Sequence, residues 1–530
     1  MVDSDRDGKN ETDPDGLPVL IQQMLDPGFY SHQVIEPIKL IQTHISYVIL
    51  TGEFAYKVKK HVNFGFLDFS TLEKRKHFYR EELRLNQRGA REIYLDVLPI
   101  TIGKDGRYRL GGDGSPVEYT LKMVEFDQSG LFGTLFANKT ITEAQMENLG
   151  RVLAKYHADE AKTNDYIRSF GRVSQVRKAV DANYQETQSY VHVGGPQTKE
   201  QLEQTKQFTD KFFEENTKLF ISRMDNGFIR ECHGDLHLDN IVLWKKQRPI
   251  LFDCIEFNEE FRFVDVMYDV AFIVMECDAR GRSDMGNAFL NTYIEETGDW
   301  EGIQLLHLYS SRHAYVRAKC KCFEIDDPSC RLQHSREKDC SIAARYFKLA
   351  WKYTVSKKGR LILMSGISGS GKSTVGKYLA RRLDAIQIRS DAVRKHLGHI
   401  ALSDHSGKDS LYTSEMTKKT YERLLKLGVQ LANQGYIVIL DAKYDKTKQR
   451  EGAIFQAANN HLPIQIIKCS APLEVLRERL KTRSGISDAT GDLLLHQKKE
   501  SEPFTCMERS YVKIWDTTKS QSEEFSRIII

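Results

Sequence analysis

Residues 227–257 read GFIRECHGDLHLDNIVLWKKQRPILFDCIEF and set polar side chains around two runs of β-forming residues. The runs IVLW and ILFD are separated by the turn signal KKQRP, which predicts a β-hairpin. Such a hairpin returns the chain from Asn240 to Asp253, so that an amide oxygen and a carboxylate lie at the same end. Both groups are oxygen ligands of the kind that Mg²⁺ binds. Asp235, five residues before Asn240 and free of the metal, could accept the proton of a hydroxyl group.

A second stretch, residues 361–374, reads LILMSGISGSGKST and satisfies the phosphate-loop fingerprint G-x-x-x-x-G-K-[ST]. Glycines let backbone N–H groups converge on phosphate oxygens, and the helix that follows directs its positive end toward them. Lys372 would reach the β and γ phosphates of ATP, and the Ser373 hydroxyl would ligate Mg²⁺. The predicted nucleotide-binding residues are Gly366, Ser368, Gly369, Ser370, Gly371, Lys372, Ser373 and Thr374.

Acidic and basic residues end two further strands of the same region. Asp441 ends the apolar run YIVILD, where a carboxylate would hold the metal or activate an acceptor hydroxyl. Arg389 and Asp391 end the run AIQIRSD, at the edge of a parallel sheet where ligands bind. There the carboxylate can accept a proton and the guanidinium can hold an anionic acceptor. We therefore predict Asp391 and Asp441 as catalytic residues.

The chain of 530 residues is long enough for two or three domains. Residues 1–16 are nearly devoid of apolar side chains and predict a disordered acidic tail. Residues 17–135 are β-rich with one inserted helix, and residues 136–353 are mostly helical, which predicts a two-lobed body. After a short basic linker at 354–360, strands alternate with helices over 361–530, the pattern of a parallel sheet covered by helices.

Charge and cysteine content limit the partners and the compartment. The formal net charge is only +4, with 77 basic and 73 acidic residues, so bulk electrostatics gives no reason to expect nucleic acid; it is a possible partner but not the favoured one. Nine cysteines occur in a chain that opens without an apolar secretory segment, which predicts a reducing, cytoplasmic location. We expect no transmembrane helix. The oligomeric state is left open.

The spacing in HGDLHLDN resembles the catalytic loop of the protein-kinase-like fold, most of all its aminoglycoside phosphotransferase and choline kinase branch. Gly234 stands where protein kinases have arginine, and DCIEF stands where they have D-F-G. The resemblance implies an α+β two-lobed fold, with Asp235 as catalytic base and with Asn240 and Asp253 as Mg²⁺ ligands. It also implies a supporting role for His233 in the loop.

Two acids near the loop, Asp265 and Asp269, would brace it structurally in that family, and Glu256 would be a further polar contact to the metal shell. The small lobe should supply a lysine for the α and β phosphates and a helix glutamate to hold that lysine. Strand alternation sets Lys57 and Lys59 on one face; we choose Lys57, with Lys59 as the alternative. The helix partner is Glu81 or Glu82, and Glu81 is preferred. The expected glycine-rich cover loop is absent, because only LTGEF turns between the strands.

Residues 360–530 resemble small-molecule and nucleotide kinases of the P-loop class, similar to gluconate, shikimate and polynucleotide 5′-hydroxyl kinases. The resemblance implies an α/β P-loop kinase fold with a parallel sheet and a lid whose arginines, here Arg479 and Arg483, close over the phosphates. Kinase-like lobes followed by a P-loop kinase also resemble a bacterial family of fused aminoglycoside phosphotransferase-like and ATP-binding proteins.

Together the patterns predict an ATP- and Mg²⁺-dependent phosphotransferase with two kinase modules that act on hydroxyl groups of small molecules. In the alternative, the N-terminal part is a nucleotide-sensing or scaffold module. Only the P-loop domain would then be catalytic, on a small molecule or on a polynucleotide 5′-hydroxyl. Neither acceptor can be read from the pattern.

Overall fold

The computed structural model describes most of the chain, namely residues 16–112, 114–192, 194–326, 333–404, 411–481 and 493–528. Apart from Gly16, the predicted acidic tail lies outside the described residues. The chain divides into two compact units. The first comprises the described residues up to Ile141, together with Tyr156–Arg172 and Ser222–Asp269. The second comprises Thr142–Lys155, Val173–Ile221 and the described residues from Val270 onward.

The first unit is built on a six-stranded antiparallel sheet with the order β1-β2-β3-β6-β4-β5. Its strands are β1 (Lys39–Gln42), β2 (Ser46–Leu50), β3 (Phe54–Lys59), β4 (Tyr94–Ile102), β5 (Tyr108–Leu110) and β6 (Pro116–Val124). The predicted inserted helix, α2 (Leu72–Ala90), begins at Thr71, whose side chain accepts a hydrogen bond from the Lys74 N–H. It packs against β4 and β6.

The hairpin predicted between Asn240 and Asp253 is present in the same unit. Strands β8 (Ile241–Trp244) and β9 (Arg248–Leu251) pair in antiparallel register. Lys245 and Lys246 in its turn have φ of 48° and 58°, the left-handed region that tight hairpin turns use. The flanking strands β7 (Ile229–Glu231) and β10 (Phe263–Asp265) pair with each other. The remaining short helices are α1 (Val19–Met24), α3 (Phe132–Ala137), α5 (Asp165–Arg168) and α9 (Glu259–Arg262).

The second unit contains a five-stranded sheet in which each pair is parallel, with the order β12-β13-β11-β14-β15. Its strands are β11 (Arg360–Ser365), β12 (Ile386–Arg389), β13 (Ile437–Asp441), β14 (Ile464–Ser470) and β15 (Val512–Asp516). The central strands are continuous apolar runs because helices cover both faces of a parallel sheet. The predicted α/β domain is therefore confirmed.

Three longer helices, α4 (Glu143–Asp159), α8 (Thr217–Asp225) and α10 (Val266–Ala279), run from one unit into the other along the sequence. The helices of the second unit are α6 (Val173–Glu186), α7 (Lys199–Glu215), α11 (Ser283–Thr297), α12 (Leu306–Asp326), α13 (Gln333–Lys352), α14 (Lys372–Leu383), α15 (Ser390–Leu397), α16 (Ser414–Asn433), α17 (Thr447–Asn459), α18 (Leu473–Lys481), α19 (Leu493–Glu500) and α20 (Gln521–Arg527). In the described part of the chain, no helix combines the length and the apolar character that crossing a bilayer needs.

Helix α11 binds the edge strand of the parallel sheet through its amide side chains. The side-chain amides of Asn287 and Asn291 each donate to the Ala385 carbonyl at 3.0 Å. The Gln387 N–H donates to Asn291 Oδ1 at 2.7 Å. An edge strand exposes unpaired backbone groups, and these bonds satisfy some of them. A helix that precedes the predicted linker thus belongs to the same compact unit as the P-loop sheet.

Truncation in the core of the parallel sheet should loosen the second unit. Ile362 is fully buried and packs in one cluster with Met364, Ile439 and Trp515. We expect Ile362→Ala to cost about 2–5 kcal/mol, because it leaves a cavity in a close-packed core. Ile514→Ala, at a side chain 54% exposed on β15, is the control and should cost little. Native-state hydrogen exchange of the sheet amides measures both; equal protection in the two variants would contradict the assignment.

Candidate active sites

The catalytic-loop residues of the first unit meet at one end of the β8–β9 hairpin. The Phe252 N–H donates to the Asn240 carbonyl at 3.1 Å and thereby closes the hairpin, with Asp253 as the next residue. The Asn240 side-chain amide donates to the Asp235 carbonyl at 3.0 Å, which ties the loop to the hairpin. The side chains of Asp235 and Asp253 are 41% and 43% exposed, so both carboxylates keep a solvent-accessible surface. Asn240 and Asp253 therefore lie at the same end of the hairpin, as predicted.

Asp269 braces the same loop, as predicted. Its two carboxylate oxygens accept the N–H groups of His233 at 2.8 Å and Gly234 at 2.9 Å. His157 Nε2 lies 3.2 Å from the same carboxylate. Burial alone would raise the pKa of Asp269, but the hydrogen bond from His157 helps to hold it below its usual value. The His233 ring contacts the Phe252 carbonyl at 2.8 Å, so this histidine supports the loop.

Asp265 has the structural role that the sequence predicted. Arg223 donates to both of its oxygens, at 2.7 and 2.6 Å, and the pair is almost completely buried. The Met267 N–H also donates to Asp265 at 2.8 Å. The buried charges are therefore compensated and fix the start of α10.

Lys57 on β3 joins the helix α2 to the hairpin. Its Nζ donates to Glu82 Oε1 at 2.7 Å and to Asp253 Oδ1 at 2.8 Å. Burial would lower the pKa of Lys57, but the Asp253 and Glu82 carboxylates outweigh it and raise the pKa well above its ordinary value. Lys57 is therefore a permanently charged group beside the predicted metal ligand Asp253.

The prediction of Glu81 as the helix partner of Lys57 is wrong. Glu81 pairs with Arg84 at 2.8 Å, whereas Glu82 is fully buried and binds Lys57. The buried stripe of α2 includes Tyr79 and Asn86, three residues before and four after Glu82. Glu82 therefore lies on the buried face of α2, and the rotation of the helix that buries this face decides between the two glutamates.

Lys59 shares this network, and the alternation that set both lysines on one face is confirmed. Its Nζ contacts Glu82 Oε2 and Glu256 Oε1, and it lies 4.6 Å from the centre of the Phe69 ring. Burial raises the pKa of Glu256. Glu256 thus contacts a lysine here, and its predicted contact to the metal shell stays a prediction.

In the second unit, the predicted phosphate loop connects β11 to α14. Gly366, Gly369 and Gly371 have φ of 144°, 76° and 85°, values that side chains rarely tolerate. Lys372 Nζ spans the loop and donates to the Ile367 carbonyl at 3.0 Å. The buried Ser370 Oγ has no hydrogen-bond partner among the described residues. A glycine-shaped backbone with a spare buried hydroxyl fits a phosphate group at the start of a helix.

Carboxyl ends of two neighbouring strands form the floor beside this loop. Gln387 Nε2 donates to Asp441 Oδ2 at 3.1 Å and to the Ser373 carbonyl at 3.3 Å. Arg389 pairs with Asp441 in the strand register, and their side chains approach to 3.9 Å. Asp391 follows in the first turn of α15 and is half-buried. The predicted Asp441, Arg389 and Ser373 are thus brought together.

Glu295 on α11 is a residue that the sequence reading missed. Its carboxylate accepts a hydrogen bond from Arg389 Nη1 at 3.2 Å. Burial raises the pKa of Glu295 above its ordinary value despite the opposing effect of the Arg389 guanidinium. No motif surrounds Glu295 in NTYIEETG, so the sequence contained no signal for it. Gln387, by contrast, lies two residues before Arg389 on the same strand face, and alternation could have found it.

One of the two predicted lid arginines is adjacent to the phosphate loop. Arg479 on α18 donates to Thr517 Oγ1 at 2.8 Å and to the Thr517 carbonyl at 2.7 Å. A Cβ built at Gly371 would lie 3.5 Å from Arg479 Nη1, so the guanidinium borders the loop. Arg483 lies outside the described residues.

The fold and these sites define a chain with a kinase-like N-terminal part and a C-terminal P-loop kinase domain. Residues 124–306 match the phosphotransferase enzyme family, and residues 361–504 match a family described as an AAA domain. An uncharacterized protein of Mycobacterium tuberculosis (strain H37Rv) is 29% identical over 456 residues, which cover 85% of this chain and 88% of that protein. A Mycobacterium bovis protein, also uncharacterized, has the same identity and coverage. The two family matches confirm the resemblance and support phosphotransferase activity.

Solved structures similar to parts of the chain include two kinases and one protein of a kinase family. A sugar kinase from Janibacter sp. HTCC2649 is 19% identical and covers 32% of this chain and 91% of its own, with a TM-score of 0.26. A gluconokinase from Sinorhizobium meliloti 1021 is 19% identical over 32% of this chain and 89% of its own, with a TM-score of 0.24. A choline/ethanolamine kinase family protein from Mesorhizobium loti is 10% identical over 61% and 93%, with a TM-score of 0.36.

Two adjacent glutamates of α2 should differ sharply in their effect on stability. Glu82→Gln removes the negative charge that compensates the buried ammonium groups of Lys57 and Lys59. It should lower the free energy of unfolding by about 3–5 kcal/mol. Glu81→Gln breaks an exposed pair and should change stability by less than about 1 kcal/mol. Burial opposes ionisation of Glu82, but the two lysines lower its pKa, so its contribution is complete at neutral pH and is lost on acidification.

Hydrogen exchange of the α2 and β3 amides at neutral and acidic pH is the measurement for this pair. The difference between the two variants should shrink as the pH falls. Equal loss of protection in both variants at neutral pH would contradict the assignment of Glu82 as the buried partner.

Proposed function

We propose that the chain is an ATP-dependent phosphotransferase with two modules, each of which transfers the γ-phosphoryl group to a hydroxyl of a small molecule. The observation that carries the proposal is that the same arrangement of a lysine and carboxylates occurs in both units. In each unit a lysine suited to phosphate, Lys57 or Lys372, occurs in a site that also holds carboxylates at strand or hairpin ends. The kinase-family matches of both segments support it.

In the kinase-like module, Asp235 accepts the proton of the acceptor hydroxyl as its oxygen attacks the γ-phosphorus. The new O–P bond forms while the bond to the β-phosphate oxygen breaks, and ADP leaves. Lys57 binds the α and β phosphates, and Glu82 orients Lys57. The amide of Asn240 and the half-exposed carboxylate of Asp253 are oxygen donors that fit Mg²⁺, which would neutralise phosphate charge when bound.

In the P-loop module, Lys372 and the N–H groups at the start of α14 bind the phosphates. The Ser373 hydroxyl fits Mg²⁺ as an oxygen donor. Asp441 or Asp391 accepts the acceptor proton, because Asp441 ends β13 and Asp391 follows β12, and both strands end beside the loop. Arg479 lies close enough to the loop to stabilise charge on the phosphoryl group.

A second candidate function has one specific observation in its favour. The turn between β1 and β2 consists of Thr43, His44 and Ile45, without glycine, and LTGEF contributes only Gly52 before β3. A kinase-like fold normally covers the phosphates with a glycine-rich loop in this part of the small lobe. In this second reading the N-terminal module senses a nucleotide or serves as a scaffold, and only the P-loop module transfers phosphate, to a small molecule or a polynucleotide 5′-hydroxyl.

Loss of Lys372 should abolish turnover by the P-loop module in the full-length chain. Lys372→Ala removes the ammonium group that stabilises the β and γ phosphates, so its phosphorylation rate should fall about 10²–10³-fold. The assay measures transfer from labelled ATP to a panel of sugars, amino alcohols, aminoglycosides and nucleosides. Lys448→Ala, at an exposed residue of α17, is the control. An unchanged product profile in the Lys372 variant would reject the assignment.

Asp235→Asn should stop transfer by the kinase-like module while it spares nucleotide binding. We expect a fall of about 10²–10⁴-fold in the rate for its acceptor, because a general base is lost without a change of shape. The exposed Asp239→Asn, four residues along the loop, is the matched control. MgATP binding is followed by calorimetry in the Lys372→Ala background. Binding without any Asp235-dependent transfer would favour the sensing or scaffold reading.

A further inference from the structure

A large polar cavity lies within the second unit, on the acceptor side of the phosphate loop. Its volume is about 1110 Å³, slightly above the usual range for small-molecule sites. Ser373 and Thr374 line it at the start of α14, and Gln387 and Arg389 line it from β12. A compound held there would therefore lie beside the proposed γ-phosphate position.

The opposite wall comes from helices that precede the P-loop domain in the sequence. Helix α11 contributes Glu295 to the lining, and α4 contributes Glu147. The α11 amide bonds to β12 hold this wall against the sheet. Arg381 of α14 donates to Glu147 at 3.2 Å and to Asn287 Oδ1 at 2.9 Å. These buried and half-buried bonds make the cavity a constructed site shared by two segments of the chain.

Basic side chains of the lining are already paired with acids. Lys377 and Arg381 contact both Glu143 and Glu147. Arg151 lies 3.5 Å from Glu296. These three basic side chains are therefore compensated, and the lining also contains hydroxyl and amide groups such as those of Thr292 and Gln387. His396, His399 and apolar residues complete it.

Arg389 is the residue on which anion binding in the cavity depends, because its side chain lies on the cavity floor next to Asp441. Its guanidinium donates to Glu295 at 3.2 Å and lies 3.9 Å from Asp441. One cation between two carboxylates leaves no excess positive charge for a carboxylate or phosphate ligand. The expectation that Arg389 holds an anionic acceptor is thus opposed by a residue from a helix outside the P-loop domain.

We propose that this cavity is the acceptor site of the P-loop module and that it takes an uncharged polyhydroxy compound, because Glu295 occupies the guanidinium of Arg389. The inference rests on the proposed phosphoryl transfer by this module. Hydroxyl groups match a lining of paired charges, amides and hydroxyls, since each can donate and accept a hydrogen bond. Glu295 acts as a specificity-determining residue contributed by the helical segment to the P-loop site.

The test measures binding of inorganic sulfate to the full-length chain saturated with MgADP. Titrations by thermal shift are run at constant ionic strength against chloride, at a mildly alkaline pH because burial raises the pKa of Glu295. Glu295→Gln should free Arg389 and lower the apparent sulfate Kd by at least about tenfold, which corresponds to about 1.4 kcal/mol. Adding Arg389→Gln should abolish the gain. Glu451→Gln, at an exposed residue of α17 that does not line the cavity, should respond as the wild type does.

Two results would overturn the inference. One is wild-type sulfate binding that is as tight as in Glu295→Gln and is lost in Arg389→Gln, because Arg389 would then be open to anions. The other is a folded Glu295→Gln chain with no gain in sulfate affinity. If Glu295→Gln does not fold, the comparison of wild type with Arg389→Gln still decides, since the inference requires no Arg389-dependent sulfate binding in the wild type.

A transfer assay separates this inference from the proposed function. D-glucitol and D-gluconate share a carbon skeleton and differ in charge, so both are offered with labelled ATP to the full-length chain. Lys372-dependent transfer to glucitol and not to gluconate is expected. Transfer to gluconate would uphold the proposed function and overturn the inference. Absence of transfer to both would count against the proposed function, and the sulfate titration would decide the inference independently.

Discussion

The carboxylate of Glu82 holds two lysine ammonium groups at once, and the first unit depends on that contact. Removing charged groups from water is costly unless each meets an opposite charge in good geometry. Glu82 accepts a hydrogen bond from Lys57 at 2.7 Å and another from Lys59. Lys57 also donates to Asp253, and Lys59 also donates to Glu256. Helix α2, strand β3 and the segment after the hairpin are thereby held in one arrangement. The same contacts leave Lys57 charged and directed at the residue that fits a metal ion.

Hydrogen bonds between side chains and backbone groups fix the catalytic loop in a similar way. Asp269 accepts the N–H groups of His233 and Gly234, and His233 in turn contacts the Phe252 carbonyl. Gly234 has φ of 86°, and a Cβ there would lie 2.6 Å from the Phe261 carbonyl oxygen. Glycine is therefore required by the backbone at the position where this chain departs from the protein kinases. The departure is therefore explained by a packing constraint.

The second unit joins the P-loop sheet to helices that precede it in the chain. Amide side chains of α11 satisfy the edge strand, and carboxylates of α4 compensate the basic face of α14. Without the helices that precede residue 361, the backbone groups at β12 and the basic side chains of α14 would be exposed to solvent. Glu295 reaches Arg389 because of this packing, so the proposed acceptor selection depends on the junction of the two segments.

Local patterns in the sequence by themselves determined the hairpin from Asn240 to Asp253, the phosphate loop and the parallel sheet. Each depends on residues close together in the chain: turn formers, glycines at fixed spacing, and strands that alternate with helices. The choice between Glu81 and Glu82 was decided only by the rotation of α2 against the sheet, which follows from packing over the whole helix. Glu295 was decided by tertiary structure alone, because it meets Arg389 from a distant segment and no local spacing encodes that contact.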